Sequence, residues 1–179
     1  MDTPRVSIIV ITYNSFKYVL ETLESAKAQT YQNIELIISD DGSQDDTVEV
    51  CQNWLAENKE RFVYSQIITV EKNTGIPANC NRGVKASKGE WIKLIAGDDA
   101  FTEDAFSNFV HASQKISSFI IQTNALIFNE NFNEENFLGT FITVSSPRFF
   151  ILETFTAKSL TFDSYIFECT CCFFEKKDF

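Results

Sequence analysis

Two rhythms of apolar residues alternate along the first hundred positions. Residues 6–11 form a short, β-branched, near-continuous apolar run, as a strand buried on both faces of a parallel sheet requires. Behind it Val19, Leu23 and Ala26 recur at helical spacing. Asn14 or Ser15 is placed to cap that helix, which should end near Gln29. Residues 34–39 repeat the strand pattern and run into Asp40-Asp41-Gly42-Ser43. Ser43 and Asp46 stand three apart like a capping box, and Val48, Cys51 and Leu55 mark one face of the helix beyond. Residues 62–69 read as a third strand. Pro77 suits the first turn of a third helix, with Gly89 as its terminator, and residues 91–95 form a fourth strand ahead of Gly97-Asp98-Asp99. A helix over about residues 103–116 and a strand over 119–128 follow.

This alternation predicts an α/β fold, a mostly parallel sheet with helices on both faces. After about residue 130 the texture changes. Residues 129–136 are a polar loop rich in Asn and Glu, and 16 of the 18 phenylalanines fall in 101–179. Strands are expected over 137–144 and 165–174, with a short helix near 149–157. At 179 residues the chain suits a single domain.

Composition narrows the function classes. Apolar residues make up 44% and charged residues 22%, as in soluble globular proteins. No window approaches the roughly 18 uninterrupted apolar residues of a transmembrane segment. Residues 6–11 lead into Tyr13-Asn14-Ser15 rather than a small-residue cleavage site, so a signal peptide is not expected and a cytoplasmic setting is. The five cysteines show no disulfide framework, which fits a reducing compartment. Cys169-Thr170-Cys171-Cys172 matches no usual zinc spacing, and His111 is the sole histidine. The net charge of −10 is shared equally between residues 1–100 and 101–179, which argues against nucleic acid as a partner. An acidic pocket still accepts an anionic nucleotide when a divalent cation lies between them.

In open α/β sheets, ligands bind beyond the carboxyl ends of the strands. Three polar clusters fall there: Thr12-Tyr13-Asn14, Asp40-Asp41-Gly42-Ser43 and Gly97-Asp98-Asp99. Neighbouring residues on an extended chain point in opposite directions, so each Asp pair should divide its labour between ligand and loop. A carboxylate suits a base imide N–H, ribose hydroxyls, or a hard cation such as Mg²⁺ or Mn²⁺. Asp-Asp-Gly-Ser alone also reads as a turn feeding a helix cap, and Asp98-Asp99 at a second strand end is what favours a site. Between Asn73 and Gly83, Gly75 permits an unusual backbone angle and Pro77 opens a helix whose N-terminus attracts negative charge. A plain surface loop has the same composition. Neither a Walker A loop nor a Gly-x-Gly-x-x-Gly turn is present.

Over about residues 5–110 these segments together resemble the GT-A glycosyltransferases, and within them family 2. The resemblance is carried by Val6-Ser7-Ile8-Ile9-Val10-Ile11-Thr12-Tyr13-Asn14, Ser39-Asp40-Asp41-Gly42-Ser43, Asn73-x-Gly75 to Asn81-Arg82-Gly83, and Lys88-Gly89-Glu90-Trp91-Ile92 leading to Asp98-Asp99. It implies a nucleotide-binding set of Thr12, Tyr13, Asn14, Asp40, Asn73, Gly75, Asn81, Arg82 and Asp98. Within it Thr12 and Tyr13 border base and ribose, Asp40 accepts from a uracil-type imide, and Asp98 lies near the ribose. Asp99 is the implied ligand of a divalent cation, Mn²⁺ or Mg²⁺, that bridges the diphosphate. Two positions depart from the family pattern: Ala96 stands where an acidic residue is commoner, and Cys80 where many members carry arginine.

The implied reaction transfers a sugar, a hexose above all, from a nucleoside diphosphate donor (a UDP-sugar first) to an acceptor hydroxyl with inversion. The donor half would be 1–110 and an incomplete acceptor half 111–179. The family's general base usually lies in an acidic pair downstream of a segment resembling residues 165–177, and the chain ends before one. Glu153, Asp163, Glu168, Glu175 and Asp178 do not fit that pattern, so no base is assigned. The acceptor would be a saccharide or lipid-linked saccharide. The phenylalanine-rich half reads either as core and covered surface or as an apolar acceptor groove with peripheral contact to the inner face of the membrane. A non-catalytic nucleotide-sugar-binding module, or an inactive fragment, is the alternative. A receiver domain would need its acidic pair after the first strand, and a nucleotidyltransferase a Gly- and Lys-bearing loop there; neither is found.

Overall fold

Six of the seven residues of β1 (Val6–Thr12) are buried, so the strand must be covered on both faces and flanked on both edges. The structure, a computed structural model, describes residues 3–115, 120–122, 125–128, 137–141 and 172–176. β2 (Ile34–Asp40) is buried at every position and lies parallel to β1, pairing from Val6 with Ile34 to Thr12 with Asp40. β3 (Tyr64–Thr69) extends the sheet beyond β2, and β4 (Trp91–Ala96) pairs with the other edge of β1, also in parallel. Among the remaining strands are β5 (Ile120–Gln122), β6 (Ala125–Phe128), β7 (Phe137–Phe141) and β8 (Cys172–Glu175). The main sheet has the order β3-β2-β1-β4-β8-β5, with β8 antiparallel to both neighbours, while β6 and β7 form a separate antiparallel pair.

Alternation along the strands divides the core. Val6, Ile8, Val10, Leu36 and Ile38 face one layer. That layer holds α1 (Val19–Lys27) through Val19, Leu23 and Ala26, α2 (Thr47–Asn58) through Cys51, Trp54 and Leu55, and α4 (Ala105–Ser113) through Phe106, Phe109 and Val110. Ile9, Ile37 and Ile92 face the opposite layer and meet Val84 of α3 (Ile76–Ala86). Burying each such side chain contributes about 1.5–3 kcal/mol. The expected helices on both faces are therefore present: among the described residues, α1, α2 and α4 on one side and α3 on the other. Beyond β8, the Lys176 ammonium donates to the carbonyls of Val84 and Ser87 at the C-terminal end of α3, where a cation meets the helix dipole favourably.

Local capping signals were misleading. α1 begins only at Val19, after a turn in which the Ser15 carbonyl accepts from the N–H groups of Tyr18 and Val19; neither Asn14 nor Ser15 caps it with a side chain. Asp46 occupies the N-cap of α2 without a side-chain bond, and Ser43 turns to Asp40 instead. α3 ends at Ser87, ahead of Gly89. The apolar run over 119–128 divides into β5 and β6, which belong to different sheets. The helix expected near 149–157 and the loop over 129–136 lie outside the described residues.

α3 packs so closely that Gly83 has no room for a side chain: a Cβ there would collide with Cγ2 of Ile9. Gly83→Ala should therefore lower stability by about 1 kcal/mol, the middle of what is left when overpacking of about 1–3 kcal/mol is set against a gain of about 1 kcal/mol in helix propensity. A lower urea midpoint at unchanged slope is the expected result.

Candidate functional site

Strand order reverses direction between β1 and β4, since the chain moves outward through β2 and β3 before returning to the far edge of β1. A crevice opens at such a switch point beyond the carboxyl ends. Here those ends are held close by Gly97, whose N–H donates to the Ile11 carbonyl at 3.0 Å. A Cβ on Gly97 would lie 2.9 Å from Cγ2 of Thr12 and 3.1 Å from Cβ of Ser15, so a larger residue would push the β4 exit off the β1 exit.

The two carboxylates ending β2 face different surroundings. Asp40, 1% exposed, accepts at Oδ1 from the N–H groups of Gly42 and Ser43. Its Oδ2 accepts from the hydroxyls of Thr12 at 2.9 Å and Ser43 at 2.5 Å. All four acceptor positions of the carboxylate are thus filled by the chain. A base imide would have to displace one of these donors to reach Asp40; the bonds themselves brace the loop.

Asp41 points to the α3 side. Its Oδ2 accepts from the N–H groups of Thr74 and Gly75, both at 2.8 Å, and its Oδ1 from the Thr74 hydroxyl at 2.5 Å and Arg82 Nη2 at 3.1 Å. Burial pushes this carboxyl up, but the donors on Thr74, Arg82 and Gly75 outweigh it and hold the group below its ordinary value. Gly75, at φ 91°, occupies the N-cap of α3, a backbone angle that favours glycine.

Asn79 and Arg82 tie these pieces together. Asn79 donates to the Thr12 carbonyl and accepts from the Ser39 hydroxyl at 2.7 Å and from Arg82 Nη1 at 2.9 Å. On the other side, Asn14 adopts φ 52°, donates its N–H to the Ser43 hydroxyl and accepts from the Gln44 N–H, both at 2.8 Å. The N–H groups of Ser15 and Phe16 donate to Thr47 and Asp45. Thr74, Asn79, Ser39, Asp45 and Thr47 were not anticipated from sequence. Several of their partners are more than 30 residues away, and a lone Ser, Thr or Asn carries no local signal of that.

The expected residues therefore fall into two groups. Thr12, Asn14, Asp40 and Arg82 are bonded into the framework. Tyr13 stands 46% exposed at the β1 exit, and Asn73 is exposed with its side-chain oxygen accepting from the Gly75 N–H. Asn81 is half-buried on α3 without a side-chain hydrogen bond among the described residues. Asp98 is exposed and Asp99 half-buried; among the described residues, neither carboxylate is hydrogen-bonded or ion-paired. Burial pushes the Asp99 carboxyl up and the Asp98 charge pushes it further, with Lys93 partly offsetting both. Two unrelieved carboxylates on an otherwise bonded rim suit a divalent cation. No group of three or more metal-binding side chains occurs among the described residues, so phosphate and water oxygens would complete the coordination. Cys80 is no nucleophile: burial pushes its thiol up to about 11. Glu153, Asp163, Glu168 and Asp178 lie outside the described residues.

A sheet of this order, with paired carboxylates at its switch point, defines an α/β domain of the GT-A glycosyltransferase class. The chain matches the Glycosyl transferase family 2 model over residues 7–179 and belongs to that family. It is 31% identical over 126 residues to glycosyltransferase GlyG of Streptococcus pneumoniae serotype 4, covering 70% of this chain and 40% of that protein. It is 35% identical over 144 residues to the UDP-Glc:alpha-D-GlcNAc-diphosphoundecaprenol beta-1,3-glucosyltransferase WfaP of Escherichia coli, covering 79% and 52%. Staphylococcus aureus TarS 1-349 in complex with UDP superposes with a TM-score of 0.58 at 25% identity, covering 65% of this chain and 34% of that one. The mannosyltransferase PcManGT from Pyrobaculum calidifontis, in complex with GDP-Man and Mn²⁺, shares the fold with a TM-score of 0.62 at 22% identity, covering 68% and 36%. The chain spans roughly a third to a half of the length of these relatives.

The Asp41 network gives a pH dependence. A carboxyl held below its unfolded value of about 3.9 contributes stability that is fully present above that value and lost as pH falls through the folded one. Asp41→Asn should therefore cost about 2 kcal/mol near neutral pH, the scale of hydrogen bonds to a charged group. The difference from the unsubstituted protein should stay level down to about pH 5 and shrink below about pH 4, as read from urea midpoints across a pH series.

Proposed function

We propose that residues 1–110 form the donor half of an inverting hexosyltransferase that uses a UDP-sugar, with Asp99 as protein ligand of Mn²⁺ or Mg²⁺. The observation that carries this reading is the pair of unrelieved carboxylates, Asp98 and Asp99, at the switch point of a family 2 domain. Bound there, the cation would act as a Lewis acid for the negative charge that builds on the departing diphosphate. Asp98, at the exposed rim, is placed for ribose hydroxyls. Tyr13 offers its ring to the base, with Asn73, Gly75 and Asn81 along the α3 side.

Asp41 is the carboxylate we assign to the base imide, in place of Asp40. Asp41 carries four donors like Asp40, but one of them is the hydroxyl of the exposed Thr74, which can turn its proton away to admit the imide while its oxygen still accepts from Arg82. The hydroxyls on Asp40 belong to the buried Thr12 and the half-buried Ser43. Thr12, Asn14 and Asp40 contribute by holding that geometry. Residues 111–179 would begin the acceptor side, and none of their acidic side chains is assigned as the general base.

Relatives motivate the acceptor. The name of WfaP specifies a UDP-Glc donor and a diphosphoundecaprenol-linked acceptor. By that analogy this chain would act on a saccharide or lipid-linked saccharide in polysaccharide biosynthesis, at the cytoplasmic face of a membrane. Among the described residues no helix is long and apolar enough to cross one, so the contact would be peripheral for this part of the protein.

Calorimetric titration with UDP, with and without Mn²⁺, tests the donor assignment. Binding that strengthens with Mn²⁺ and loses that increment in Asp99→Ala is the expected outcome. UDP affinity indifferent to metal, or a metal increment surviving in Asp99→Ala, would overturn the cation site. UDP binding without sugar transfer to any hydroxyl acceptor in the full-length protein would mark a binding module.

A further inference from the structure

If Asp41 receives the base, the group that orients Asp41 governs which base is received. That group is Arg82. From α3 its Nη2 donates to Asp41 Oδ1 at 3.1 Å and to the Thr74 hydroxyl at 2.8 Å, while its Nη1 donates to Asn79 Oδ1 at 2.9 Å and to the Asp40 carbonyl at 3.4 Å. Both terminal nitrogens are therefore occupied by the chain, and the side chain is only 18% exposed. Asn79 is anchored in turn to Thr12 of β1 and Ser39 of β2, so a continuous line of hydrogen bonds runs from the strand ends through Arg82 to Asp41 and the loop before α3.

We propose that Arg82 is a positioning residue that sets the base preference of the donor site by fixing Asp41 and Thr74, without itself touching the nucleotide. This rests on the donor assignment above. A planar guanidinium is the one side chain that can meet acceptors on Asp41, Thr74, Asn79 and the Asp40 carbonyl together, whereas a lysine ammonium, a compact point charge, cannot span them. The consequence is chemical. Uracil presents an N3–H donor to a carboxylate held in place, while cytosine presents a lone pair at the same position and is repelled. A carboxylate free to turn loses that discrimination.

Competitive calorimetry with UDP and CDP on the full protein, in the presence of Mn²⁺, tests this with Arg82→Lys and Arg82→Ala. The UDP-over-CDP preference should fall about tenfold in both, the factor for one misplaced hydrogen bond to a charged group, while CDP affinity and the salt dependence of binding stay level. Asp41→Asn should remove the same preference, and combining it with Arg82→Lys should add nothing further, since the two act as one unit. A melting curve on Arg82→Lys verifies that it folds. Equal losses for UDP and CDP with a flatter salt dependence would assign Arg82 to the diphosphate and overturn the proposal. An unchanged preference, or additive losses in the double variant, would overturn it as well. Absence of UDP binding in the unsubstituted protein would instead remove the donor assignment, and the inference with it.

Discussion

Adjacent residues on an extended strand must face opposite ways, and at the end of β2 this rule is applied to two carboxylates in succession. Asp40 turns toward the layer of α1 and α2, Asp41 toward α3, and each accepts four hydrogen bonds. The first set closes the loop between β2 and α2 and holds it to Thr12 of β1. The second draws in the segment before α3 and its Arg82. With β1 between β2 and β4, and Gly97 packed on Thr12, the position of every strand exit around the crevice refers back to this one pair.

Such a network is stable only when complete. Buried charge left without a partner is far costlier than the small net gain of pairing it, so removing one member harms more than the pair contributes. On the β1–β2–α3 side the chain supplies every partner of Asp40 and Asp41. Across the crevice, Asp98 and Asp99 have no hydrogen-bond or ion-pair partner among the described residues, and burial with repulsion from Asp98, which Lys93 only partly offsets, raises the cost of keeping Asp99 ionised. A bonded wall opposite two carboxylates that no side chain among the described residues pairs with is the arrangement expected where the counter-charge arrives with a ligand.

The strands of the donor half were legible because each is a short, buried, β-branched run, and the strand ends were legible because polar clusters interrupt those runs abruptly. Length alone hid the division of residues 119–128, whose apolar pattern does not say that the two halves join different sheets. The capping box at Ser43 and Asp46 failed for a related reason. A Ser three residues before an acid satisfies the local pattern, but α2 begins only at Thr47, and the Ser43 hydroxyl donates back to Asp40, which spacing alone does not show. Around the crevice, sequence reading named the acids at the strand ends but not the bonds of Asn79 and Thr74, which exist only once α3 lies against β1 and β2. The resemblance gave the base imide to Asp40 where we propose Asp41, and alternation says that a pair divides its labour without saying which member faces the cleft.

The departures at Ala96 and Cys80 make the remaining charges more informative. With an uncharged thiol at residue 80 and a methyl at residue 96, Arg82 is the cation bonded into the α3 side of the described rim, and Asp41 already neutralises it. The protein as a whole carries −10. A nucleoside diphosphate approaching this crevice therefore meets no side-chain cation left over for its phosphates among the rim residues that hold the framework. The N-terminus of α3 offers partial positive charge, which is small beside a diphosphate. On the proposed reading the balance comes from a divalent ion shared between Asp99 and the phosphate oxygens, so donor and metal would each need the other to bind well. On that reading metal dependence would follow from the way Arg82 is bonded: a guanidinium committed to Asp41, Thr74 and Asn79 is unavailable to the leaving group.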